Sequence, residues 1–314
     1  MTEYIIKRLL LIPVTLIGIF TISFLLLYIV PGDPVATIVG QRADIETIKA
    51  IRSELNLDKP LYIQYITYLT KLLQGDLGKS FIRSEYVLDA ILERFPATLE
   101  LALSAISIAI TIGIPIGVIS AVKQYSFWDR FFMIFAIAGV SAPGFWVGQI
   151  LILLLAYNLK LLPDGGYSEY FPENIKFLIL PALALGIREV AVIARLTRSS
   201  MLEVIRQDYI KTARAKGVSE LIVITKHALR NALIPIVTYI GMDIGYLLGG
   251  AVITETIFTR PGIGLLAVQA LRDKDIPIVL GTVLFSSLLI VIANLITDLS
   301  YALLDPRVKL SQKS

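Results

Sequence analysis

The strongest constraint in this chain is the recurrence of apolar runs about twenty residues long with hardly a charge in them. Hydrocarbon offers the backbone no water to bond, so a segment that crosses it closes its hydrogen bonds internally, as a helix of roughly 20 apolar residues. Six stretches qualify: about Leu9 to Val30, Ala97 to Val122, Phe131 to Tyr157, Ile175 to Ala194, Ala232 to Ile253 and Ile276 to Leu304. The first carries no charge, and the second only Glu100 near its start. The fourth is weakest, because Lys176, Arg188 and Glu189 interrupt it and Pro181 and Gly186 lower its helix propensity. The last is long enough to tilt or to project beyond the bilayer. With 56% hydrophobic and 17% charged residues, an ordinary soluble domain is excluded. The fold class expected is an all-α integral membrane protein with six transmembrane helices.

Lys and Arg in short loops stay on the cytoplasmic side. Between the fourth and fifth runs stand Arg195, Arg198, Arg206, Lys211, Arg214, Lys216, Lys226 and Arg230 against Glu203, Asp208 and Glu220, which puts that loop inside. By alternation Lys7 with Arg8, the turn from Lys123 to Arg130 and the tail with Arg307, Lys309 and Lys313 are inside as well, so both termini are cytoplasmic. The loop from Asn158 to Asn174, with Asp164, Glu169 and Glu173, is outside. The first run exceeds a signal-peptide core and ends in Pro31, Gly32 and Asp33 without a small-residue cleavage site, so it reads as a retained helix. The net charge of +4 is this loop bias and not a nucleic-acid patch, since no aromatics interleave the basic residues. No cysteine is present, which excludes disulfides and thiol chemistry.

The chain divides into residues 1–30, a long polar outer stretch 31–96, a five-helix core 97–304 and a tail 305–314. In the outer stretch, Ile45, Ile48, Ile51 and Leu55 recur at helical spacing, as do Tyr62, Tyr65, Ile66, Leu69 and Leu73. Two short amphipathic helices follow, with Asp58, Lys59 and Pro60 at the turn between them. Gly78, Lys79 and Ser80 resemble the end of a phosphate-binding loop. The glycine required five residues earlier is Leu73, however, and an amphipathic helix stands where a buried strand should.

The basic loop, 195–235, carries a pattern of its own. Tyr209, Ala213 and Lys216 lie near one helical face, Asp208 stands in the first turn where a carboxylate complements the helix dipole, and Gly217 ends the helix. Ser219 stands where it could cap a second helix through Ile222, Ile224 and His227 to Asn231, with Pro235 near the membrane entry. Small residues, Ala213 and Ala215, let another protein approach the backbone closely. Charge alone would equally suit a helix that only attracts anionic lipid.

The stretch from Asp208 to Pro235 resembles the cytoplasmic docking loop of ABC importer permeases, in particular dipeptide and oligopeptide permeases. Pro31 to Pro34, Gly75 to Gly78, Gly249 to Val252 followed by Glu255, Phe258, Pro261 and Gly262, and Asp305 to Arg307 extend the likeness over nearly the whole chain. The resemblance implies a type I importer permease fold with a helical extracytoplasmic insertion, in a bacterial or archaeal cell membrane. It also implies a second homologous permease, two cytoplasmic ATPases and an external substrate-binding protein, with membrane lipid around them and no nucleic acid. ATP and Mg would be bound by the ATPases, with no cofactor, metal site or catalysis in this subunit. Asp208, Tyr209, Lys211, Thr212, Ala213, Arg214, Ala215, Lys216 and Gly217 would receive the ATPase. Lys211 departs from the glutamate many importers carry there, which removes that carboxylate as a contact. Peptides are the implied cargo, and nickel, glutathione or oligosaccharides are alternatives within the same machinery.

Asp243 stands near the middle of the fifth run, where a charge costs on the order of 2.5 to 3.5 kcal/mol. It either lines a translocation cavity or holds helices together, and Gln149, Asn294 and Asp298 admit the same two readings. Adjacent Arg188 and Glu189 point about 100° apart and need separate partners. Asp243 and Asp298 also raise an intramembrane aspartyl protease, but they stand at different depths and the local residues Gly241, Met242 and Asp243 lack that family's glycine-aspartate pair. The single histidine, His227, makes no metal site. A secondary transporter would leave the docking loop unexplained.

Overall fold

The computed structural model describes residues 2–29, 57–80 and 82–304, together with Glu46, Lys49, Arg52 and Ser53. In chain order its helices are α1 (Thr2–Ile29), α2 (Leu61–Leu73), α3 (Val87–Val122), α4 (Phe127–Ser141), α5 (Gly144–Leu151), α6 (Glu173–Ile205), α7 (Asp208–Ala215), α8 (Glu220–Leu248), α9 (Val252–Ile257), α10 (Ile263–Asp273) and α11 (Ile276–Leu304). Among the described residues α1, α3, α6, α8 and α11 are long and apolar enough to cross a membrane, and a bent pair supplies a sixth span if counted as one.

That bent pair corrects the expected third span. α4 ends at Ser141, and α5 with its π-helical continuation Ile152–Asn158 leaves at 106°. Pro143 is the cause: its ring disfavours the helical conformation for the residue before it, and Ala142 is extended at ψ 129°. Hydropathy runs unbroken through this point, so it does not register the bend.

Other boundaries move too, mostly because helices continue past the apolar run that marks them. α3 begins at Val87 instead of Ala97, with Pro96 inside it, and its 36 residues extend about 54 Å at 1.5 Å each. Its first turns are no linker, since Val87, Ala90 and Ile91 are buried against Ile263, Leu266 and Ala270 of α10 and Ile278 of α11. α6 continues beyond Ala194 to Ile205, taking Arg195 and Arg198 onto the helix. α8 begins at Glu220, so the expected second loop helix and the fifth span are one rod, with a π-helical turn at Val223–Ala228. It stops at Leu248 instead of Ile253, just before Gly250 at φ 109°. The last span coincides with α11.

In the outer stretch α2 forms, but a different face is used. Tyr65, Tyr68, Leu69 and Leu72 pack on Phe20 and Phe24 of α1 and Leu280 and Leu284 of α11, and the hydroxyls of Thr21 and Tyr65 are 2.8 Å apart. Tyr62, Ile66 and Leu73, expected on the packed face, are exposed. The other expected helix, around Ile45, Ile48, Ile51 and Leu55, lies outside the described residues, as do Pro31 to Pro34 and Asp305 to Arg307. A small antiparallel ladder, β1 (Lys79–Ser80) with β2 (Glu85–Tyr86), was not expected of an all-helical chain. Ser80 donates to the carboxylate of Asp275 at the start of α11, and Gly78 N–H bonds Asp76 Oδ1 at 2.8 Å. The Gly78 to Ser80 motif is thus a turn that pins the ladder to the last span.

α3 and α6 form the most extensive helix pair. Gly117 makes their closest approach possible: a Cβ there would stand 2.6 Å from the Ala194 carbonyl oxygen and 2.5 Å from Thr197 Cβ. Without a hydrophobic drive inside a bilayer, such close backbone contact is what dispersion needs to hold two spans together.

Candidate functional site

α7 is a short helix that would be marginal alone, with Ile210 as its one fully buried side chain. Ile210 sits among Ala121 of α3, Met201 of α6 and Val223, Ala228 and Ala232 of α8. A single apolar residue between charged neighbours is weak as a periodic signal, and the sequence reading missed it. Ala213 packs half-buried on the same cluster, whereas Ala215 is exposed.

The end of α7 is set by hydrogen-bond geometry. Gly217 N–H bonds the Arg214 carbonyl at 3.0 Å and Val218 N–H bonds the Ala213 carbonyl at 3.3 Å, the two bonds of a Schellman cap. This places Gly217 at φ 77°, as its type suggested. Arg214 then bridges the turn: its Nε and Nη2 meet the two carboxylate oxygens of Glu220 at 3.0 and 2.6 Å. Ser219 occupies the N-cap position of α8 but makes no side-chain cap bond, contrary to expectation. Lys211 Nζ donates to Asp208 Oδ1 at 2.8 Å, and this ammonium holds the Asp208 carboxyl below the usual carboxylate range. Thr212 Oγ1 donates back to the Asp208 carbonyl. The Tyr209 hydroxyl accepts from Asn231 Nδ2 at 2.6 Å and donates to the His227 carbonyl at 3.4 Å, tying α7 to α8. Lys211, Thr212, Ala215, Lys216 and Gly217 are left exposed, with Lys211 and Arg214 already paired and Lys216 in no ion pair among the described residues.

Behind this loop Arg198 of α6 grips the α4 turn. Its Nε and Nη2 donate to Asp129 Oδ1 and Oδ2 at 2.6 and 2.8 Å, Asp129 is buried, and its Oδ2 also accepts from Tyr125 N–H. The turn at 123–126 and the start of the loop therefore move together.

The four residues considered for a pathway do not converge. Asp243 faces Glu189, which is buried and accepts from Tyr239 Oη at 2.6 Å, while Arg188, expected to need a partner of its own, is exposed and in no ion pair among the described residues. Asp243 Oδ2 is buried with no hydrogen-bond partner among the described residues. Asn294 instead lines a cleft between α1 and α11 with Leu11, Ile12 and Thr15, and Gln149 is exposed on α5. Asp298 is within α11, but its side chain lies outside the described residues.

At the opposite end of α3 a buried polar knot explains the residue types around Glu255 to Gly262. Glu255 accepts from Thr98 Oγ1 at 2.8 Å and from Leu265 N–H at 3.0 Å, placing its carboxylate at the N-terminus of α10. Thr98 Oγ1 in turn accepts from Ile263 N–H. Gly262 leaves the room: a Cβ there would lie 2.4 Å from Glu255 Oε2. Buried Arg260 donates to the Ala97 carbonyl and to Glu100 Oε2, with its guanidinium 4.9 Å from the Tyr167 ring centroid. Burial pushes the Glu255 carboxyl up from its ordinary value.

Residues 113–310 match the family described as "Binding-protein-dependent transport system inner membrane component", and residues 1–102 match "Binding-prot-dependent transport system membrane comp, N-term". A putative peptide transport system permease protein of Brucella abortus is 44% identical over 98% of this chain and 99% of its own length. The dipeptide transport system permease protein DppB of Escherichia coli is 40% identical with the same coverage of each chain. Among solved structures, an inward-facing form of the MetNI methionine ABC transporter aligns with TM-score 0.56 at 16% identity, covering 69% of this chain and 97% of that one. At that identity the likeness is one of fold.

Proposed function

We propose, given that this chain belongs to the family of inner membrane components of binding-protein-dependent transport systems, that its cargo is di- or oligopeptides. It is a permease subunit of an ATP-driven ABC importer and not itself an enzyme. The observation that carries the peptide reading is the full-length similarity to permeases named for peptide or dipeptide transport. Nickel, glutathione and oligosaccharides are the alternatives the experiment must compete.

In this reading the loop of Asp208 to Gly217 is cytoplasmic and receives an ATPase, and a second homologous permease completes the pathway. ATP and Mg belong to the ATPases. Both termini are inside, and α2 with the β1–β2 ladder lies outside, toward the binding protein. Support for docking comes from the Schellman-capped α7, pinned by Ile210 and held to α8 through Arg214 and Tyr209. A platform anchored on three sides can transmit a push. When ATP draws the ATPases together, the loop moves with them, and it must bind differently in the inward-facing and outward-facing states for the coupling to have a direction. Asp243 is our candidate for the pathway, because its buried carboxylate, set against that of Glu189 in an apolar span, is costly unless water or cargo reaches it in some state.

The test is uptake of a labelled dipeptide into vesicles holding the full importer and its binding protein. Peptide-selective uptake that falls or changes range in Asp243→Asn is the expected result. Equal uptake of peptide and of an oligosaccharide would reject the cargo assignment, and unchanged transport with lower thermal stability would make Asp243 structural.

A further inference from the structure

Beside α7 lies an open cleft of ≈ 530 Å³ lined by Tyr209, Lys226, His227, Arg230, Asn231 and Ile234. No carboxylate lines it. On the docking helix itself Lys211 is paired with Asp208 and Arg214 with Glu220. Lys226 and Arg230 are exposed and take part in no ion pair among the described residues. Like charges four apart on a helix repel, so this pairing raises the energy of α8 unless an anion sits between them.

Local backbone geometry supports a ligand. Lys226 and His227 fall in the π-helical turn Val223–Ala228, a distortion that recurs where side chains are re-aimed for a purpose. Asn231 Nδ2 carries two hydrogens and gives only one to Tyr209, leaving a second donor. The cleft thus offers an ammonium, a guanidinium and an amide N–H to an acceptor-rich group, the donor set of a phosphate site. At its other end are Ile234 and, next to it, the exposed Pro235, within the apolar helix that crosses the membrane.

We infer that this cleft holds the phosphate headgroup of an anionic phospholipid of the cytoplasmic leaflet, whose acyl chains run along α8 past Ile234. A phosphate could also come from solution, but only a lipid uses the apolar end. Because Tyr209 belongs to both the cleft and α7, a bound headgroup braces the docking helix against the span. The inference rests on the cytoplasmic placement of the loop proposed above.

The experiment uses the assembled importer, stripped of lipid and reconstituted in phosphatidylcholine with or without phosphatidylglycerol, with bound phosphatidylglycerol counted by native mass spectrometry. Lys226→Gln and Arg230→Gln should each weaken retention about fivefold, and the pair about 25-fold, whereas Arg206→Gln, an exposed charge outside the cleft, leaves it unchanged. Excess inorganic phosphate should not displace the lipid. Full retention in the double variant overturns the inference, and so does displacement by phosphate, which would mark a free-anion site. A disulfide between Lys226→Cys and an ATPase cysteine would give the cleft to the ATPase and overturn it as well. Labelling of Ser219→Cys by an impermeant thiol reagent from outside would instead refute the orientation on which the inference stands.

Discussion

Gly217 offers a clean separation of backbone from packing. Nothing lies within 4 Å of where its Cβ would be, so a Cβ there meets no neighbouring element. What changes is the cost of φ 77°, about 1 to 2 kcal/mol for an ordinary side chain and toward 3 kcal/mol for a β-branched one. Asn tolerates the left-handed region, so the order of damage should be Asn, then Ala, then Val. Since 1.4 kcal/mol is a factor of ten, the population holding the Schellman turn should fall by about 5-fold to 150-fold across that series. A lost turn releases the Val218 bond to Ala213 and swings Glu220 away from Arg214. Expected in vesicles are normal insertion and delivery by the binding protein, but ATPases that dissociate or turn over ATP without import, graded in that order. Copurified ATPase, ATP turnover and uptake, measured together, decide it. Equal coupling in the Asn and Val variants would refute the argument, because sterics cannot distinguish them at an open site.

Ile210→Ala should free α7 from its cluster at a cost of about 2 to 5 kcal/mol, read as faster amide exchange over residues 208–217 with the spans still protected; unchanged exchange would show that Arg214 and Tyr209 suffice. Glu255→Ala should leave the buried Thr98 hydroxyl and the half-buried Leu265 N–H without an acceptor, at about 1 to 3 kcal/mol for the buried one, and lower the melting temperature. The pH dependence has a definite sign: burial raises the folded-state pKa of Glu255, so its stabilising share is complete below the ordinary carboxylate value and is lost as pH rises through the raised value. Glu255→Gln should therefore remove part of the fall in melting temperature on going from acid to neutral pH, and an identical slope would count against the buried ionisable group.

Spans were legible because lipid imposes one requirement on every residue in them, and that requirement is written as hydropathy. Ends were not, since α3, α6 and α8 continue on protein contacts that hydropathy does not encode. The bend at Pro143 was visible as a proline but not as an angle. In the loop, Gly217 announced its conformation because only a positive φ explains a glycine at a helix end. Ile210 and the Arg214–Glu220 bridge did not, since both depend on how α7 folds back on α8. Glu255 and Gly262 were noticed only by family likeness; the carboxylate that needs the glycine's missing Cβ is a relation in space.

The α3–α6 pair sets a mechanical scale for the protein. α3 carries Ala97, Thr98 and Glu100 of the buried knot near one end and Ala121 of the Ile210 cluster at the other, and Gly117 locks it against α6 in between. Over about 54 Å, each degree of tilt about one end displaces the other by about 1 Å. The pair is a lever whose arm exceeds the membrane. Rotations too small to disturb a single packing contact at the fulcrum become ångström strokes at the far surface, with no separate linkage required.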